Sequence, residues 1–65
     1  MKLVKSTPGK QRKLICEDDY DALFTLLVDL REVLLRIRGN TVTGIHDNGF
    51  TVSKEGRLTT YLIEE

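Results

Sequence analysis

Tryptophan is absent from this chain, and cysteine, histidine, proline and methionine occur once each. Each scarcity closes a route. A lone cysteine, Cys16, excludes an intrachain disulfide, and with His46 as the lone histidine one chain cannot assemble a Cys/His zinc site. The four aromatic residues all lie after residue 19. The basic N-terminal segment therefore has no ring on which a nucleobase would stack. No long uncharged apolar run is present. The most apolar stretch contains Asp29, Arg31 and Glu32, too many charges for a membrane span, and its polar face is mixed in sign rather than basic. Lys2 and Lys5 are not followed by the apolar core of an export signal. The expectation is a cytoplasmic protein with a free thiol and no membrane partner.

What the chain does have is 65 residues and ten charges of each sign. That length makes a single domain, residues 1–65, and a chain of this size buries only about 60% of its unfolded surface. Small domains make up the deficit with disulfides, metals or oligomerisation. With the first two closed, oligomerisation remains, most simply a two-fold homodimer. The zero net charge hides an asymmetry. Lys2, Lys5, Lys10, Arg12 and Lys13 sit in the first thirteen residues without an acid, and the remainder carries five bases and ten acids.

Residues 17–39, EDDYDALFTLLVDLREVLLRIRG, organise the rest. Acids open the stretch and bases close it, as the helix macrodipole favours. Asp18 or Asp19 suits the N-cap, and Gly39, with Asn40 behind it, suits a left-handed C-terminal position. A helix over 18–38 follows. Leu23, Leu27, Leu30, Leu34 and Ile37 alternate spacings of four and three, and Leu26 and Val33 widen that seam. The apolar arc spans roughly 240°, where a helix lying on one core needs little over 100°. One sheet covers one side of it. The seven seam residues are therefore expected to form the interface with a second copy.

Either side of this helix the pattern is that of strands. Residues 1–16 contain two short apolar runs, LV and LIC, around the turn signal Ser6-Thr7-Pro8-Gly9, and read as a basic β-hairpin or a disordered arm. Over 41–63 the period is two. Asp47-Asn48-Gly49 and Lys54-Glu55-Gly56 read as type I′ turns of a three-stranded meander. Alternation places Val42 and Gly44 on one face and Ile45 on the other. The order ββαβββ gives an α+β fold, one long helix on a small antiparallel sheet.

No catalytic constellation emerges. Glu17, Asp18, Asp19 and Asp21 lack the spacing of a calcium loop, and capping explains them. Four acids beside Cys16 disfavour a thiolate, so that cysteine reads as structural. His46 and Asp47 are adjacent on a strand and so point apart, and the serines and threonines have no base in sight. The glycines do not have phosphate-loop spacing. Neither an enzyme, nor a metal, nor a cofactor is expected. The helix followed by TVTGIHDNGFTV is similar to part of the Sm-like small barrel. That barrel has five strands after its helix, and the 26 residues after Gly39 are too few, so no expectation is taken from it. The reading is a small non-enzymatic protein-interaction or regulatory protein, a homo-oligomer that also binds another protein, as phage-type accessory proteins do. The alternative is a nucleic-acid or acidic-partner module contacting phosphates through Lys2, Lys5, Lys10, Arg12 and Lys13.

Overall fold

The computed structural model describes all 65 residues. Its elements are β1 (Lys2–Ser6), β2 (Lys13–Glu17), α1 (Tyr20–Arg36), β3 (Asn40–His46), β4 (Gly49–Lys54) and β5 (Arg57–Glu64). The strands form one antiparallel sheet in the order β2-β1-β5-β4-β3, with α1 against one face. The fold is α+β with the expected order ββαβββ.

The N-terminal segment is a hairpin, and its first strand lies mid-sheet. β1 pairs with β2 on one side and β5 on the other, Leu3 standing between Cys16 and Ile63. Leu3 is fully buried. Two apolar residues in a row carry little periodicity. The decisive contact, β1 with β5, joins chain segments nearly sixty residues apart.

The helix runs 17 residues, shorter than expected, and each end has a local cause. Asp19 is the N-cap, its carboxylate accepting the Ala22 N–H at 2.9 Å. Asp18 in turn accepts the Asp19 N–H at 2.8 Å. At the other end the Ile37 N–H bonds Leu34 O, three residues back, and the helix stops. Gly39 takes φ +96° in the turn that follows, and the Asn40 side-chain amide donates to Leu34 O at 2.8 Å. The first residue of β3 thus satisfies a carbonyl that a continuing helix would have used.

The core lies between α1 and the sheet: Leu23 and Leu27 of the helix against Leu3, Phe50, Val52, Tyr61 and Ile63, with Phe50 and Tyr61 stacked at 5.3 Å. Two details of the meander differ from expectation. The register of β3 shifts between Val42 and Gly44, leaving Thr43 unpaired. This bulge puts Val42, opposite Val52, and Ile45, opposite Phe50, on the helix side together. The β3–β4 turn is not type I′ either. No residue from Asp47 to Gly49 has positive φ, whereas Glu55 and Gly56 do, at 52° and 79°. Gly49 is glycine for another reason: a Cβ there would stand 1.9 Å from Tyr61 O. Asn48 holds the turn to β5, its amide donating to Ile63 O at 2.6 Å while its carbonyl accepts the Ile63 N–H at 2.9 Å.

Candidate interaction surfaces

The folded chain presents three surfaces with chemistry of their own. The first is the outer side of α1. Of the seven seam residues, Leu23 and Leu27 are buried in the chain's own core, and Leu30 and Leu34 are half-buried against it. Leu26, Val33 and Ile37 are left exposed. On the other flank of the helix, Tyr20, Phe24 and Leu35 are exposed too, and the Tyr20 and Phe24 rings stack at 5.9 Å. Here the helix borders β3 in an apolar groove of about 190 Å³, which Arg31 also lines. Ile45, turned to this side by the β3 bulge, is 77% exposed.

The second surface is the uncovered face of the sheet. Val4 is buried there, flanked by Leu14 and Leu62 on the neighbouring strands. Beside it runs a hydrogen-bonded chain that sequence reading missed. His46 Nε2 and Thr51 Oγ1 lie 2.9 Å apart, and Thr51 Oγ1 and Thr60 Oγ1 are again 2.9 Å apart. A threonine therefore does have an imidazole partner. The β3 bulge creates it, because Gly44 rather than Thr43 pairs with Thr51 and brings His46 onto the same face. The ring's one hydrogen bond is to Thr51. The chain is a cross-strand polar ladder that ties β3, β4 and β5 together.

The third surface is the end of the molecule carrying the β1–β2 loop and the β4–β5 turn. Lys5, Lys10 and Lys13 are here. Lys2 is at the opposite end, opposite Glu17 and Glu64. Arg12 is turned away as well, and its Nη2 donates to Glu64 Oε2 at 2.6 Å in the molecule's one ion pair. In their place come Lys54 and Arg57, which face each other across the β4–β5 turn. The tight turn between them makes that pairing readable in sequence. The nearness of Arg57 to Lys10 depends on β1 pairing with β5.

Elsewhere the candidate chemistry has a structural account. The acidic run caps the helix, and no three carboxylate, thiol or imidazole groups stand close enough to share a metal ion. Cys16 packs half-buried against the core. Both sheet edges are interrupted, β2 by an unpaired Ile15 and β3 by Thr43, which blunts them as templates for another strand. No helix is long and apolar enough to cross a membrane. Comparison of the chain with models of protein families, with curated proteins and with solved structures found no match in any of the three.

Proposed function

We propose that this protein is a small binding protein that works as a homodimer, joined through the flank of α1 that carries Leu26, Val33 and Ile37. The exposed apolar flank of the helix carries the reading: Leu26, Val33 and Ile37 are between 38% and 53% accessible in the single chain. Water on that many large apolar side chains is unfavourable by roughly 25 cal/mol per Å², and a contiguous apolar patch of this kind marks an interaction site. The total surface agrees. A compact monomer of 7.4 kDa exposes about 4,200 Å², and this chain exposes 4732 Å². The bulged edges make strand pairing a poor route to a dimer and leave the helix as the better one. The flank of α1 that the dimer does not use, with Phe24, Val28 and Ile45, is the place for a further protein.

Sedimentation equilibrium tests the dimer. The expected mass is twice that of the chain at micromolar concentration. Val33→Lys should shift it to a monomer that keeps its far-UV circular dichroism, because Val33 is exposed and Asp29 one turn earlier accommodates a lysine. A wild-type protein that stays folded and monomeric would overturn the reading.

A further inference from the structure

We propose that the end of the molecule formed by the β1–β2 loop and the β4–β5 turn binds the phosphate backbone of a nucleic acid. The fold sorts the charges of this neutral chain. Antiparallel register sets Lys5 opposite Lys13 and Lys54 opposite Arg57. Lys10 joins the two pairs. It lines a cleft of about 560 Å³ with Thr7, Pro8, Gly56 and Arg57, and a second of about 210 Å³ with Lys5 and Lys13. Arg36 and Arg38, at the end of the helix, border the same end. The acids gather at the other end, where Glu17 and Glu64 flank β1 and Asp18, Asp19 and Asp21 open the helix.

A solvated charged face does not explain this arrangement. Like charges directly opposite each other on neighbouring strands are destabilising, and this end contains two such pairs. The one ion pair in the molecule, Arg12 with Glu64, leaves all five cations without a carboxylate within 4 Å, although Glu55 lies in the β4–β5 turn. The helix C-terminus accounts for Arg36 and Arg38, but Lys5, Lys10, Lys13, Lys54 and Arg57 are on strands and loops. An anionic partner turns these unfavourable pairs into binding groups.

Its form favours nucleic acid over an acidic protein. From strand spacing and rise, the line from Lys13 to Lys54 is roughly 20 Å long, about six phosphates at the 3.4 Å axial spacing of one strand of a duplex. Only Pro8 and Leu58 are apolar among the residues lining the two clefts, whereas a protein interface needs an apolar centre. No aromatic ring lines either cleft, so the contacts are to phosphate and carry no sequence preference.

Fluorescence anisotropy with a labelled mixed-sequence duplex of about 20 base pairs, and with one of its strands, tests this between about 50 and 200 mM salt. Five phosphate contacts give a slope of log K against log salt of about −4.5 for the duplex and about −3.5 for the single strand. Arg57→Gln should weaken binding and bring the slope about one unit nearer zero. It should also raise the midpoint of thermal unfolding, because it relieves the Lys54 pair. Lys2→Gln, at the far end, should change neither slope nor affinity. The proposal fails if no binding occurs at the lowest salt, or if Arg57→Gln leaves the slope where it was. It fails equally if polyglutamate of matched charge displaces the protein as readily as nucleic acid, which would assign the face to an acidic protein. Repeating the measurement on Val33→Lys separates this site from the helix contact, and the slope should persist there.

Discussion

Gly49 sits where two strands come closer than a side chain allows. Its buried position opposite Leu62 leaves no room for even a methyl group, because the obstacle is the backbone carbonyl of Tyr61. Gly44, on the strand before it, has only ordinary contacts, with Thr51 and His46 beyond 3.5 Å. Gly49→Ala should therefore cost about 3 kcal/mol by denaturant unfolding, at the upper end for overpacking, and Gly44→Ala less than about 1 kcal/mol. Equal effects would mean that the β4–β5 approach is looser than it looks. Tyr61 offers a second test at the same scale. Burial pushes its phenol above the ordinary value of about 10. The unfolded chain therefore loses the proton first as pH rises. Stability from Tyr61 is complete below about pH 10 and drains away as pH climbs from there through the folded pKa. Phenolate absorbance should show a titration step above pH 10 that is missing from Tyr61→Phe, and that variant's stability should fall less over the same range.

The helix is the element on which the molecule turns, and its two sides have different duties. Leu23 and Leu27 close the core, whereas Val33 meets water in the single chain. Leu23→Ala should cost about 2–5 kcal/mol. The whole stability of 65 residues is roughly 3–10 kcal/mol, so this variant should lose a large share of it, read as a much lower midpoint of denaturant unfolding by circular dichroism. Val33→Ala should leave chain folding within about 0.5 kcal/mol and weaken association instead. The seam pattern in the sequence merges these duties, because a spacing of three and four records which residues are apolar and not which surface each one meets.

At the scale of the molecule, extents of 32 × 25 × 17 Å describe two layers, one helix thick and one sheet thick. The helix covers one face of the sheet, and the polar ladder of His46, Thr51 and Thr60 lies on the other. The antiparallel hairpins bring the loops with Lys10 and Arg57 to one end and the acidic helix start to the other. A net charge of zero is thus compatible with a strong separation of charge along the molecule. The salt slope and its response to Arg57→Gln measure that separation as binding, and the sedimentation mass of Val33→Lys measures the helix face as association.

By itself the sequence determined the elements: the acids that cap the helix, the arginine-rich stop near Gly39, the Glu55-Gly56 turn and the alternation of β4 and β5. These follow from interactions within a few residues, where propensity and pattern act directly. Tertiary structure decided the rest. It placed β1 mid-sheet, shifted β3 by one residue at Thr43, split the leucine seam between core and surface, withdrew Arg12 into an ion pair with Glu64 and set Arg57 beside Lys10. Each of these depends on which distant strands pair and in what register. A one-residue shift in register moves every side chain beyond it to the other face, and local sequence does not encode that choice.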